Sequence, residues 1–228
     1  GQGDEKKSIL KSLKTISSDY QLIDTEEKRR ELYEILITSK ILALDTETTS
    51  TDPIDAELVG MSFSIKENQA FYVPVPPNYD EAQKIVKEFQ PIFENEEILK
   101  VGQNMKYDLL VLDNYGVELR GPMFDTMIAH YVLQPELRHS MDYLAEIYLN
   151  YETIRIEELI GAKGKNQGNM RDLPAEAVYQ YACEDADVTL KLKNILEKEL
   201  EANGVSSLFY EIEMPLMPVL AQMERNGV

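Results

Sequence analysis

Hydrophobic and polar residues alternate along this chain in blocks that predict a mixed α/β fold. Residues 26–39 carry apolar positions at helical spacing, and residues 41–44 form a short apolar run that suits a strand buried on both faces. Strands at 58–65 and 70–75 flank a polar turn, which predicts an antiparallel meander. A second helical stripe then leads to a short strand at 99–102, and a helical crossover would add this strand parallel to the first. Helical patterns dominate the remaining sequence.

Two acidic residues follow the buried strand directly. Because side chains alternate along a strand, Asp45 and Glu47 project to the side that also carries Ile41 and Ala43. Two carboxylates at the end of a buried strand repel each other and are costly to desolvate, so a cation is expected between them. Hard divalent ions with oxygen ligands are the obvious candidates.

A third acidic residue is predicted to face inward from a helix that follows the strand at 99–102. Asn104 is expected to cap this helix, which begins at Met105. Asp108 shares a helical face with Met105 and Val111, so it is predicted to be buried. A buried aspartate needs a partner.

The fourth acidic residue lies on a long helix that follows Pro174. Val178, Tyr181 and Asp185 fall on one stripe, which is expected to pack against the sheet. Tyr181 and Asp185 are four residues apart and therefore lie one turn above the other. The sequence thus predicts a tyrosine and an aspartate together at a core position.

Each of these acids also has a plain structural explanation, such as a capped turn, a satisfied buried aspartate or a solvated surface charge. The pair Asp45-x-Glu47 alone recurs by chance in unrelated proteins. Chance is a much poorer explanation for all three acidic segments together, in this order and each on its predicted element. We therefore predict a two-metal nuclease centre.

A series of motifs resembles one known family. The chain is similar to the 3'-5' proofreading exonuclease domain of bacterial family A DNA polymerase I, in the DEDDy branch of exonucleases, from about Ile41 to Val228. The motifs are L-D-T-E-T, V-G-Q-N-x-K-Y-D, G-x-x-F-D-T-M, K-G-K-N-Q, Y-x-x-E-D-A-D-V-T and E-M-P-L-x-P-V-L-x-x-M-E-x-N-G-V. The resemblance implies a ribonuclease-H-like fold, with a five-stranded mixed sheet of order 3-2-1-4-5 flanked by helices. Residues 1–25 would be an N-terminal extension, 26–205 the exonuclease domain, and 206–228 a helix leading into a polymerase domain.

The same resemblance assigns roles to the acidic residues. Asp45 would bridge two divalent cations, Glu47 and Asp185 would complete the first site, and Asp108 would hold the second through water. Mg²⁺ is implied, with Mn²⁺ or Zn²⁺ as alternatives in one site. Tyr181 would orient the attacking water. The reaction would release 5'-mononucleotides from a single-stranded or frayed 3' end of DNA.

Contacts to DNA are implied for a further set of residues. Two of them depart from the family, because Thr51 and Ile156 stand where a leucine and an aromatic residue pack near the terminal bases, which weakens the apolar platform for stacking. Two lysines in a glycine-rich loop could contact phosphates or lie in a mobile solvated loop, and the loop lacks the spacing of a P-loop. The full set is Thr46, Thr51, Gln103, Asn104, Lys106, Tyr107, Arg138, Ile156, Lys163 and Lys165.

Composition adds one constraint. The chain has 23 basic and 41 acidic residues and a net charge of -18, which is unusual for a protein that binds nucleic acid. We expect weak, salt-sensitive binding of DNA by this chain, with a polymerase domain supplying a basic cleft. The single Cys183 fits a reducing compartment, and the sequence shows no signal peptide or apolar run long enough to span a membrane. A cytoplasmic, nucleoid-associated monomer is expected.

Other interpretations stay open at this point. An RNA-trimming DEDDy exonuclease would share the five site residues, although the polymerase-like ending argues against it. A catalytically idle domain that only braces a polymerase would be expected to lack carboxylates, and none is missing. His130 and His139 have no ligand spacing and are predicted to be structural, as is Asp125, a predicted helix cap. The C-terminal stripe that includes Ile212 and Val219 is predicted to expose apolar surface.

Overall fold

A computed structural model describes residues 10–228, so the first part of the expected N-terminal extension lies outside the described residues. The chain forms one mixed sheet with helices on both faces. The strands are β1 (Asp19–Leu22), β2 (Ile41–Thr48), β3 (Leu58–Lys66), β4 (Gln69–Pro74), β5 (Leu99–Gly102) and β6 (Met123–Asp125). The helices are α1 (Glu26–Ile37), α2 (Tyr79–Glu88), α3 (Gln90–Phe93), α4 (Met105–Asp113), α5 (Thr126–Leu133), α6 (Met141–Leu149), α7 (Ile156–Ile160), α8 (Ala175–Ala202) and α9 (Met214–Arg225).

The sheet has six strands in the order β1-β4-β3-β2-β5-β6. Without β1 this is the predicted order 3-2-1-4-5, with the antiparallel meander β2-β3-β4 and the parallel β2-β5 pair both in place. The predicted count of five is therefore wrong by one edge strand. β1 pairs in parallel with β4, and its four residues alternate between exposed and half-buried positions. So short a segment carries no pattern of its own, and its strand conformation depends on a partner about fifty residues away.

Central strand β2 is buried on both faces, as its apolar run predicts. Leu42 and Leu44 belong to the core beneath α1 to α4, whereas Ala43 belongs to the core beneath α5, α6 and α8. Alternation then directs Asp45 and Glu47 to the same face as Ala43, towards α8. Helix α8 packs across β1 to β5 and so faces the acidic end of β2.

Asp125 at the end of β6 joins two helix N-termini. Its carboxylate accepts hydrogen bonds from the backbone nitrogens of Met127 at 2.8 Å and Ile128 at 3.2 Å, which confirms the predicted cap of α5. It also accepts from the backbone nitrogens of Asn104 at 3.2 Å and Met105 at 2.7 Å. The prediction that Asn104 caps α4 is wrong, because its backbone is left-handed (φ 62°) and its side chain makes no capping bond.

The C-terminal segment is helical, as predicted, with a π-helical stretch at Leu208–Glu213 before α9. Arg225 of α9 forms an ion pair with Asp113 of α4 at 2.5 Å. One face of α9 is buried, whereas the predicted apolar stripe is exposed, including Ile212 and Val219 with more than half of their surface accessible. In the described residues, none of the helices is both long and apolar enough to cross a lipid bilayer.

We predict that Asp125→Ala lowers the free energy of unfolding by about 3 kcal/mol or more, because four backbone N–H groups lose their shared acceptor. Asn78→Ala is the matched control, since it removes the side-chain cap of the single helix α2 at an exposed site and should cost about 1 kcal/mol. Urea denaturation monitored by circular dichroism measures both. Equal losses for the two variants would contradict a joining role for Asp125.

Candidate metal centre

Three carboxyl groups converge beside the carboxyl end of β2. One oxygen each from Asp45, Glu47 and Asp185 lies within 4.8 Å of the other two. Asp45 is half-buried, whereas Glu47 and Asp185 are buried. The first two residues come from β2 and the third from α8. The structure therefore brings together three of the four predicted acids, hereafter the acid cluster.

Asp108 is buried next to the acid cluster but, among the described residues, lies outside it. Its Oδ1 atom accepts hydrogen bonds from the backbone nitrogen of Thr46 at 3.2 Å and from the Thr46 hydroxyl at 2.6 Å. Thr46 points to the opposite face of β2 from Asp45, so Asp108 approaches from the other side of the strand. It remains near enough for the charge of Asp45 to raise its pKa.

Burial raises the pKa of all four carboxyl groups. Repulsion from the neighbouring carboxylates raises the pKa further for Glu47, Asp108 and Asp185. Asp45 also has a pKa above its ordinary value through desolvation, although hydrogen bonds from Thr46 and Glu47 lower it in part. The two carboxyl groups of β2 therefore gain protons more readily than they would in water.

The donor set fits a hard divalent cation. Carboxylate oxygens are the ligands that such ions prefer. The Oε1 atom of Glu47 is buried and has no hydrogen-bond partner among the described residues. An unpaired buried oxygen is costly, and a cation would both satisfy it and offset the repulsion within the acid cluster.

Tyr181 lies one helical turn before Asp185, as its spacing predicts. Its hydroxyl hydrogen-bonds the Asp185 carboxyl group. Burial, followed by the charge of Asp185, raises the pKa of Tyr181 above its ordinary value. The phenol therefore stays protonated at neutral pH and donates a hydrogen bond to Asp185.

A cleft of about 740 Å³ opens beside Tyr181 and Asp185. It contains two of the predicted DNA contacts, Arg138 and Ile156. Arg155 also lines it and was not predicted; its only signal in the sequence is a basic residue directly before Ile156. The remaining lining residues are Met141, Asp142, Thr153, Ile154 and Glu157.

The loop that carries Arg138 is fixed by contacts on both sides of this residue. Arg138 lies over the ring of Tyr143, 5.1 Å from its centroid. The Nδ1 atoms of His139 and His130 are 2.6 Å apart, and the Gln103 side chain donates to the His139 carbonyl at 2.7 Å. Neither histidine belongs to the acid cluster. Gln103, a predicted DNA contact, thus contacts this loop.

The other predicted contacts lie in different surroundings. Lys106 forms an ion pair with Glu224 of α9 at 2.8 Å. The Tyr107 hydroxyl makes short hydrogen bonds to Thr48 and to the Ser50 carbonyl, which fixes the segment after β2. The remaining three are exposed, with Thr51 on that segment and Lys163 and Lys165 in the loop after α7.

We predict that rising pH lowers the thermal stability in chelator and that added Mn²⁺ raises it. Because the pKa values of the acid cluster are raised, the folded protein binds more protons than the unfolded chain above the ordinary carboxyl pKa of about 4. In chelator, the melting temperature should therefore fall from about pH 5 to about pH 8. Mn²⁺ should raise it more at the higher pH, where fewer protons compete.

Asp45→Asn serves as the control because it removes one ligand charge and one source of repulsion. It should flatten the pH dependence in chelator and reduce the stabilisation by Mn²⁺. An equal Mn²⁺ effect in the wild type and the variant, or a larger effect at the lower pH, would contradict metal binding by the acid cluster.

Comparison with known proteins agrees with this geometry. A family model described as 3'-5' exonuclease matches residues 20–201. DNA polymerase I of Pseudomonas aeruginosa is 43% identical over 199 residues, which cover 83% of this chain and 22% of that protein. DNA polymerase I of Borreliella burgdorferi is 36% identical over 222 residues, which cover 96% of this chain and 24% of that protein. The chain thus spans about a quarter or less of the length of these curated relatives.

The fold also occurs outside polymerases. The solved structure of Escherichia coli RNase D, an exoribonuclease involved in structured RNA processing, superimposes with a TM-score of 0.70. It is 22% identical, and the match covers 90% of this chain and 51% of that one, so the similarity shows a shared ribonuclease-H-like fold. From the match over residues 20–201, the chain belongs to the 3'-5' exonuclease family, and it corresponds to the exonuclease segment of its DNA polymerase I relatives.

Proposed function

We propose that this chain is the proofreading domain of a DNA polymerase I, and that it removes nucleotides from a single-stranded or frayed 3' end of DNA with the help of two divalent cations. Hydrolysis of the terminal phosphodiester would release a 5'-mononucleotide and leave the strand one nucleotide shorter. The observation that carries the proposal is the convergence of Asp45, Glu47 and Asp185 next to Tyr181, at the edge of a cleft.

In this proposal the acid cluster holds the cations, and Asp108 contributes from the other side of β2. Divalent cations at this site would supply positive charge for the phosphoryl oxygens and the leaving 3'-oxygen, and would ease deprotonation of the attacking water. The protein's own contribution is to hold Asp45, Glu47 and Asp185 together despite their repulsion. Thr46 fixes Asp108 relative to the two acids on either side of it in β2.

Tyr181 would orient the attacking water instead of removing its proton. Its raised pKa keeps the phenol neutral, so it is a poor base at neutral pH. Because its own proton is donated to Asp185, its oxygen can still accept a hydrogen bond from water. Loss of the hydroxyl should therefore slow hydrolysis without removing a ligand of the cations.

Substrate would enter the cleft from the side of Arg138 and Arg155. These two guanidinium groups offer positive charge for phosphates at a site otherwise rich in acids. With a net charge of -18, the chain has little further attraction for DNA, so the proposal includes a polymerase domain that delivers the strand. The exposed apolar stripe of α9 is a surface that such a domain could cover.

We predict that Asp45→Ala loses Mg²⁺-dependent digestion of 3'-labelled single-stranded DNA by several orders of magnitude, because the cluster loses a ligand that both cations would share. The fold should persist, since the substitution also removes a source of repulsion. Asp24→Ala is the matched control, because Asp24 is an exposed acid paired with Lys28. Digestion by Asp45→Ala at the wild-type rate would contradict the assignment.

Tyr181→Phe should be milder, with a loss of about 10- to 100-fold in kcat, since the cations keep their carboxylates. The comparison is made with the same labelled strand at saturating Mg²⁺. A loss as large as that of Asp45→Ala would mean that Tyr181 does more than orient water.

Matched oligonucleotides of DNA and RNA test the substrate class, which the fold shared with RNase D leaves open. Because the two relatives at 36% and 43% identity are DNA polymerases, we expect the DNA strand to be digested faster. Faster digestion of RNA would instead favour an RNA-trimming enzyme. No digestion of either strand by the wild type would favour an idle domain.

A further inference from the structure

Glu184 is a fully buried acid that directly precedes Asp185 but, among the described residues, takes no part in the acid cluster. Its two oxygens accept hydrogen bonds from different partners. Oε2 accepts from the Tyr151 hydroxyl at 2.6 Å, and Oε1 accepts from the backbone nitrogen of Ile154 at 2.6 Å. Both partners belong to the segment 151–156, hereafter the cleft wall.

The cleft wall contributes Thr153, Ile154, Arg155 and Ile156 to the cleft beside Tyr181 and Asp185. Tyr151 is buried in one hydrophobic core and Ile156 packs against another, whereas Thr153 and Ile154 are only half-buried. A second cavity of about 660 Å³ shares Thr153 and Ile154 as lining residues, so this part of the wall has open space on more than one side. Helix α7, which continues from the wall, has no fully buried residue.

Hydrogen bonds therefore determine much of the position of the cleft wall. Lys11 fixes its beginning, because the Lys11 carbonyl accepts from the backbone nitrogen of Glu152 at 2.7 Å. Glu184 fixes its middle, where Ile154 and the buried Tyr151 ring meet helix α8. A carboxylate suits this position because it offers two acceptor oxygens to two donors, whereas a glutamine offers only one.

We propose that Glu184 is a positioning residue. It holds the cleft wall in position, so that Arg155 and Ile156 can contact the terminal nucleotides. This inference rests on the proposed function. Glu184 neither lines the cleft nor belongs to the acid cluster, and both of its hydrogen bonds go to the wall. Its loss is expected to weaken the binding of single-stranded DNA, measured as KM, far more than it slows the chemical step, measured as kcat.

The same helix provides a matched control. Asp187 is also fully buried, and its carboxylate accepts from the Tyr20 hydroxyl at 2.6 Å and from the backbone nitrogen of Asn68 at 2.8 Å. These two bonds resemble those of Glu184 but go to strand β1 and to the turn between β3 and β4, and Asp187 forms an additional ion pair with Lys191 at 3.1 Å. Neither Asp187 nor Tyr20 lines the cleft beside Tyr181 and Asp185. Substitutions at Asp187 and Tyr20 leave both bonds between Glu184 and the wall in place, so they report the cost of losing a comparable buried bond elsewhere on α8.

The experiment compares Tyr151→Phe and Glu184→Gln with Tyr20→Phe and Asp187→Asn. Tyr151→Phe is the sharper test because it keeps the Glu184 charge next to Asp185 and removes only one hydrogen bond. Amide hydrogen exchange, resolved by residue, reports the mobility of the wall without any nuclease activity. Digestion of a short single-stranded DNA with Mg²⁺, at temperatures where all variants stay folded, gives KM and kcat.

We expect Tyr151→Phe and Glu184→Gln to accelerate amide exchange at Ile154 and to raise KM by about tenfold, with kcat changed by about twofold or less. Tyr20→Phe and Asp187→Asn should accelerate exchange at Asn68 and leave KM unchanged. Unchanged exchange at Ile154, or an unchanged KM despite faster exchange, would overturn the inference. Equal effects of all four variants on KM would do the same, because they would indicate a general loss of stability.

Failure of the proposed function gives a different result. If the wild-type chain digests no DNA, the proposed activity is wrong. The amide exchange data would still show whether Glu184 holds the cleft wall in position. A wild-type chain that digests DNA, with variants that bind it equally well, would leave the proposed function intact and overturn only the role of Glu184.

Discussion

Repulsion among desolvated carboxylates is the constraint on which this structure depends. Asp45, Glu47 and Asp185 would each be more stable in water or farther apart, yet the fold places an oxygen of each within 4.8 Å of the others. Burial raises their pKa values, and repulsion adds to this for Glu47 and Asp185, so protons and a cation would compete for this site. The sheet and helix α8 must therefore be stable enough to tolerate this arrangement. Strand β2, held between β3 and β5 and covered on both faces, meets that need.

Buried acids in this chain fall into two groups according to what their oxygens contact. Asp125, Glu184 and Asp187 accept hydrogen bonds from backbone nitrogens and from tyrosine hydroxyls, so their charge is compensated within the protein. Glu47 instead has a buried oxygen without a partner among the described residues. The first group organises the backbone around the cleft, whereas the second requires a ligand. This difference in hydrogen bonding, more than burial itself, distinguishes Glu47 from Asp125, Glu184 and Asp187.

Local sequence patterns predict much of this arrangement. The apolar run and the alternation of β2 place Asp45 and Glu47 on one face, and helical spacing places Tyr181 next to Asp185. Strand β1 could not be predicted, because its four residues form a strand only against β4. The position of Asn104 directly before α4 predicts it as the cap, whereas the acceptor is Asp125, about twenty residues later in the chain. Arg155 and Glu184 likewise gain their roles from contacts across the fold, which spacing along one helix or strand does not reveal.

Diffraction from crystals grown with Mn²⁺, recorded so that manganese scatters anomalously, shows whether the acid cluster binds a cation. We expect an anomalous peak at about 2 Å from carboxylate oxygens of Asp45, Glu47 and Asp185. The same peak should weaken or vanish in crystals of Asp45→Asn. Manganese bound only at surface acids, with no peak at the acid cluster, would contradict metal binding at this site.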